Sequence, residues 1–171
     1  MRVDARIRAL LHQVAREDGA SAVEMALSCV ILLAMLFGMC QFSLAMYYYQ
    51  FTAEAAREGS RWAMVRGSTS CVNTPSLSKC NASTDDIKAF VQGLSTSGIK
   101  ASKVVVTTVW CSVSASNPAT WSSCSSTTSK APGNQVKITV SYPYSFKIPF
   151  PRKPKSFSLT LGSTSQMVVS Q

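Results

Sequence analysis

The sequence predicts an α+β fold: a long N-terminal transmembrane-to-periplasmic helix, then a small domain with a short helix and an antiparallel β-sheet. Three observations predict it. From Met25 to Ala53 the chain carries no charged residue, and no proline occurs before Pro75. Beyond residue 100, β-branched and alternating segments such as Val136, Ile138, Val140 and Tyr142 take over, the pattern of half-buried strands.

The elements follow in order. Residues 1–19 mix Arg2, Arg6, Arg8 and Arg16 with Asp4, Glu17 and Asp18, and place Ile7, Leu10, Leu11 and Val14 at helical spacing. This segment reads as a short amphipathic helix or as a cytoplasmic leader that is removed. Residues 20–66 read as one helix, with a membrane span at about 25–49. A span needs about 20 apolar residues, and Met25–Tyr49 supplies them. That run is too long for a signal-peptide core, and no small-residue cleavage pattern follows it, so the helix is read as retained. Past the span, Phe51, Ala55, Trp62 and Val65 recur on one face, interrupted by Glu58. Glu54 with Arg57, and Glu58 with Arg61, form opposite-charge pairs three residues apart. Gly59 reads as a weak point in the helix and Gly67 as its stop.

Residues 67–171 read as an extracytoplasmic α+β domain. Residues 67–83 form a loop with Cys71, Pro75 and Cys80. Thr84, as N-cap, opens a short helix with Asp85 and Asp86 in its first turn and Ile87, Phe90, Val91 and Leu94 on its apolar face. Gly98 ends it. Lys103–Trp110 is a strand, and Cys111–Asn134 a Ser/Thr-rich loop. After the alternating strand, Pro143, Pro149, Pro151 and Pro154 prevent regular pairing. Ser156–Leu161 and Thr164–Ser170 close the sheet as two strands, turned at Gly162-Ser163.

Orientation rests on two signals. Arginines flank the span on both sides, with a slight excess before it, which favours a cytoplasmic N-terminus. Cys71, Cys80, Cys111 and Cys124 all follow the span, and an even set in a small domain suggests disulfides in an oxidising compartment. The most local pairing is Cys71–Cys80 and Cys111–Cys124, although four cysteines allow three connectivities. Within the span, Ala34 and Gly38 form a small-xxx-small pair that permits close helix packing. Cys29 and Cys40 read as small apolar residues. Tyr47-Tyr48-Tyr49 reads as an interfacial aromatic anchor.

Several function classes are disfavoured. The net charge is +9, and no Asp or Glu follows Asp86. The cations are spread over strands and loops rather than clustered, which speaks against nucleic acid as a partner. There is no Cys-x-x-Cys, the one histidine, His12, lies in the leader, and no nucleophile motif or phosphate loop appears. The expectation is a protein that is not an enzyme and holds no metal or cofactor.

The segment Gly19-Ala20-Ser21-Ala22-Val23-Glu24 is the sharpest feature. It places one acid beside a charge-free run of membrane length, where an unpaired carboxylate is unfavourable. Cleavage after Gly19 would leave an amine at Ala20. The Glu24 carboxylate of one subunit could then pair with the Ala20 amine of its neighbour, since buried charges persist when paired.

This layout resembles the pilins and pseudopilins of the type IV class, with a Gly, a cut, and a Glu five residues after the Gly. It is most similar to the TadE-like family of tight-adherence pilus proteins. The resemblance rests on Gly19–Leu27, on Ala55-Ala56-Arg57-Glu58-Gly59-Ser60-Arg61-Trp62-Ala63, on Val140-Ser141-Tyr142-Pro143-Tyr144, and on the closing Leu159–Leu161 and Met167–Val169. Ala20 and Met25 depart from the residues of main filament subunits and point to a minor pseudopilin. The resemblance implies cleavage by a membrane aspartic prepilin peptidase. It also implies work with other pilins, minor pseudopilins and an inner-membrane assembly platform, with membrane lipid around the anchor. The alternatives are a type II secretion-like pseudopilin, or a membrane-anchored basic module that binds envelope polymers or DNA.

Overall fold

The computed structural model describes the backbone of residues 2–114, 117–125, 129–147 and 156–171, and the side chains of 19–112, 124–125, 129–146 and 157–171. Three helices, α1 (Arg2–Met64), α2 (Ser70–Asn73) and α3 (Thr84–Gly93), precede four strands: β1 (Val105–Ser114), β2 (Asn117–Ser125), β3 (Gln135–Lys147) and β4 (Ser156–Val168). The strands form one antiparallel sheet in the order β2-β1-β3-β4. The fold is the α+β arrangement that the sequence predicts. Two compact units divide the chain, Met1–Leu44 and Ala45–Gln171, and α1 contributes to both.

Within the second unit, α1 runs along β3 in the opposite direction. The Tyr48 ring stacks on Tyr142 with centroids 5.0 Å apart, and at the other end the backbone N–H of Ser170 donates to the Met64 carbonyl at 3.0 Å. The helix face that meets the core is made of small residues. Thr52, Ala55, Ala56, Gly59, Ser60 and Ala63 are all buried, whereas Phe51, Trp62 and Val65 are only half-buried. Gly59 is the closest point. A Cβ there would stand 2.7 Å from Val91 Cγ2 of α3 and 3.5 Å from Ile138 Cδ1 of β3. The glycine expected to weaken the helix is therefore where a helix and the sheet press against it. The Ser60 hydroxyl shares a 2.8 Å hydrogen bond with that of Ser165, joining α1 to β4. Ile87, Val91, Trp110, Val136, Ile138 and Val140 complete the buried cluster.

Trp62 and Phe90 stack at 5.0 Å, and the Arg66 guanidinium lies over the Trp62 ring at 4.1 Å. Arg66 also donates to the carbonyls of Trp62 and Ser78, and burial lowers its pKa. These contacts tie the end of α1 to the loop closed by the Cys71–Cys80 disulfide. Gly67 sits where the chain terminus returns. A side chain there would run into the carbonyls of Gln171 and Lys130 and the side chain of Val169.

Several local expectations are corrected. The N-cap of α3 is Ser83, not Thr84. Its hydroxyl accepts from the Asp86 N–H at 3.1 Å while the Asp86 carboxylate accepts from the Ser83 N–H at 3.1 Å, a reciprocal capping box. The Lys79 ammonium sits 2.8 Å from the same carboxylate, and these donors push the Asp86 pKa far below the ordinary carboxylate range. Helix α3 ends at Gly93, and Gly98 lies in the turn that follows.

The first strand begins at Val105 rather than Lys103 and continues to Ser114. The segment Cys111–Asn134 is not a loop throughout, because it contains the end of β1 and all of β2. Backbone ladders need no apolar side chains, so a Ser/Thr-rich stretch can pair. The Cys111–Cys124 disulfide fastens these two strands at a register shift between Trp110 and Ser112.

Pro143 does not stop pairing: β3 runs through it to Lys147, with Pro143 opposite Thr160. Beyond Ser141, β3 has only β4 as a neighbour, so the missing N–H is tolerated on an open side. Pro149, Pro151 and Pro154 lie outside the described residues. The closing segment is one strand, not two. Gly162 pairs with Ser141 in mid-strand, and a Cβ there would stand 3.3 Å from Ser141 Cβ and from the Val140 carbonyl. Its glycine serves a close strand approach rather than a turn.

Candidate functional site on the long helix

A helix this apolar is usually hidden in a core, but the described part of α1 before the second unit is not. From Gly19 to Leu44 every side chain is exposed except Gln41, which is half-buried. The exposed set includes Met25, Leu27, Ile31, Met35, Phe37 and Phe42. Residues Gly19–Met64 hold one segment long and apolar enough to cross a membrane, with a mean hydropathy of 2.2 over its best window. Apolar surface on this scale is stable only against lipid or other protein.

The expected processing residues lie on this surface. Gly19, Ala20 and Glu24 are exposed and helical. A Cβ built on Gly19 would meet nothing within 4 Å. Among the described residues, no ion pair involves Glu24. The expected leader is continuous with α1 from Arg2, so Gly19 is a helix-interior glycine, a local weakness of about 1 kcal/mol relative to alanine. The side chains of Ile7, Leu10, Leu11, His12 and Val14 lie outside the described residues. About three turns beyond Glu24, Ala34 and Gly38 are both exposed, with open space above Gly38. Cys29 and Cys40 are free and exposed.

The tyrosine triplet divides its labour. Tyr48 turns to the sheet, stacked on Tyr142 and 5.2 Å from Tyr144. Tyr47 shares a 2.8 Å hydrogen bond with the Thr96 hydroxyl, and Tyr49 is exposed. The anchor expected from sequence is thus also the seat of the sheet on α1. Burial raises the Tyr144 pKa. The signal for this seat was present in Tyr142 and Tyr144, two apart and so on one strand face.

Beside the triplet, Tyr47, Phe51, Ala55 and Leu94 floor an open groove of about 360 Å³, with Glu54 and Glu58 on its rim. The Glu58 that interrupts the apolar face is this rim. Arg57 reaches Glu54 at 3.2 Å and Arg61 reaches Glu58 at 3.3 Å, both on the surface, where such pairs contribute little. Among the described residues, no three of His, Cys, Asp and Glu stand together as a metal site would require.

Comparison with known proteins locates this region. Residues 19–61 match the family model described as TadE-like protein. The match begins at Gly19, covers the exposed apolar stretch, and ends inside the Ala55–Ala63 block. It agrees with the resemblance drawn from the sequence and points to a protein associated with the Tad pilus. The sheet segments Val140–Tyr144, Leu159–Leu161 and Met167–Val169 lie outside the matched residues. No curated protein and no solved structure matches the chain.

Proposed function

We propose that the chain is a minor pseudopilin required to assemble a tight-adherence pilus, and that a prepilin peptidase cuts it after Gly19. The observation that carries the proposal is the family match, which starts at Gly19 and runs over a stretch of membrane length that is free of charge from Met25 to Ala53. Such a helix sits in the inner membrane before assembly and packs among other pilus subunits after it. The domain from residue 67 onward lies outside the cytoplasm, where its two disulfides form.

Glu24 carries the assembly step. Before cleavage its carboxylate is an exposed acid at the edge of the span. After cleavage the Ala20 amine of an adjacent subunit gives it a partner of opposite charge, and the pair enters an apolar bundle at a cost neither ion could meet alone. Ala34 and Gly38 provide a narrow strip on which a neighbouring helix can lie close. The peptidase acts at a glycine because a residue without a side chain opens more readily into an extended backbone.

The test is Glu24→Gln in cells that make the pilus. Cleavage should proceed and pilus yield should fall at least tenfold. Normal piliation by the variant would remove Glu24 from assembly. Retention of the uncleaved chain would instead place Glu24 in recognition by the peptidase.

A further inference from the structure

We propose that the outer edge of β4 pairs with the β2 edge of a second copy of the chain, so that the sheet continues from one subunit to the next. Among the described residues, β4 has only β3 as a neighbour and β2 has only β1. Pro143 shows which backbone groups of β4 are spare. In an antiparallel ladder, opposed residues alternately exchange two N–H···O bonds or turn those groups away from each other. Proline has no N–H, so Pro143 and Thr160, which oppose each other, are a pair of the second kind. The N–H and C=O of Thr160 therefore face away from β3. By alternation, so do those of Ser158, Gly162, Thr164, Gln166 and Val168. The hydrogen bonds of Val169 with Gly133 and Asn134 fit the same phase, with odd-numbered positions turned inward. Among the described residues, no other element bonds this outward row.

Edges that stay unpaired are ordinarily guarded by short length, by lysine or proline, or by a bulge. β4 has none of these. It is 13 residues long, contains no charged residue and no proline, and keeps one unbroken register against β3 from Ser156 to Val168. The six residues of its outward row are all exposed. The other open stretch of the sheet, β3 beyond Ser141, does carry a guard, Pro143. A row of N–H and C=O groups repeating every two residues, about 7 Å, is matched by another strand.

Strand direction and charge select the occupant. Each neighbouring pair in the order β2-β1-β3-β4 is antiparallel, so the two edge strands, three steps apart, run opposite ways. Two copies side by side in the same attitude therefore bring β4 of one and β2 of the other together antiparallel, with neither copy inverted. Pairing β4 with β4 antiparallel would require that inversion. β2, Asn117–Ser125, is also free of charged residues. In a chain of net charge +9, these two strands give a seam on which copies meet without opposing cations. β2 has nine residues, which sets the greatest length of the added ladder. The contact is head-to-tail, so each pair leaves one free edge at either end for a further copy. It lies wholly within the second unit and depends neither on cleavage at Gly19 nor on the pilus role.

Cross-linking between two populations of the full chain tests it, in vesicles of phosphatidylethanolamine and phosphatidylglycerol and in a Cys29→Ala, Cys40→Ala background. One population carries Thr164→Cys on β4. The other carries, in turn, Asn117→Cys, Ala119→Cys, Thr120→Cys or Ser122→Cys on β2. With a short bis-maleimide reagent, the mixture should give covalent dimer at one or two of the β2 positions, several-fold above either population alone. Adding Thr160→Pro to the first population removes an outward N–H that β3 does not use. Dimer should then fall several-fold while the thermal unfolding of the domain is unchanged. Gln166→Lys, which sets a charge on the same edge, should act alike and gives a second reading where the proline disturbs the fold. Dimer from the Thr164→Cys population alone would overturn the proposal in favour of β4 against β4. Absence of dimer from every mixture would also overturn it, as would dimer that neither edge variant diminishes.

Discussion

The two stretches of α1 on either side of residue 45 use opposite materials. Before it, the described surface is large and branched, with Leu, Ile, Met and Phe exposed to whatever surrounds the chain. After it, the buried stripe is Thr52, Ala56, Gly59, Ser60 and Ala63, beside residues that press within ordinary contact distance or closer. The difference teaches where each helix surface finds its partner. A stripe of small side chains brings a helix backbone close to a sheet that the same chain supplies. A surface of large apolar side chains needs no fitted partner, because lipid and neighbouring helices accept many shapes.

The comparison breaks most easily at its closest point. Gly59→Val should destabilise the domain by about 3 kcal/mol or prevent its folding, since the added atoms collide with Val91 and Ile138. Gly38→Val, made in the open stretch, should leave the melting temperature of the domain unchanged. Thermal unfolding followed by near-ultraviolet circular dichroism reads both, and equal losses would abolish the distinction. Replacing Cys111 and Cys124 together with Ser should remove about 3 kcal/mol, as expected for a short closed loop. It should release β2, seen as new proteolytic cleavage between residues 111 and 134. Tyr48→Ala should cost about 2 kcal/mol through the lost stack on Tyr142 and Tyr144, whereas Tyr49→Ala should cost little.

The smallest effect is at α3. Ser83→Ala removes a capping hydroxyl and should cost about 1 kcal/mol, measured by denaturant titration. Asp86 supplies a pH signature to the same box. Its folded pKa lies below the ordinary value of about 4, so its contribution is complete above that pH and is lost on acidification below it. Asp86→Asn should flatten the acid limb of the stability profile. An unchanged limb would show that other carboxylates set it.

Much of this organisation was legible in the residues. The charge-free run and the absence of proline marked the long helix, and strict alternation at Val136–Tyr142 marked β3. The i,i+3 pairs Glu54–Arg57 and Glu58–Arg61 form as their spacing suggests. The hidden parts share a physical cause. A sequence pattern weighs side chains by size and polarity, so it ranked Phe51, Trp62 and Val65 above Ala56, Gly59 and Ala63. Yet the tightest packing falls to residues with the least to bury. Residues 117–125 pair through their backbone and a disulfide, neither of which leaves an alternating signature. Gly162 and Pro143 carry turn chemistry in sequence, and only the neighbouring strand reveals that one fits a close approach and the other an open side. For the proposed processing residues, sequence supplied the types and order of Gly19, Ala20 and Glu24, and the structure adds their exposure on a continuous helix.

The central claim concerns that helix and its proposed cut, and the N-terminus of the mature protein tests it most directly. N-terminal sequencing of the chain purified from membranes of pilus-forming cells should read Ala-Ser-Ala-Val-Glu, beginning at Ala20. A chain that begins at Met1 in those same cells would contradict the account.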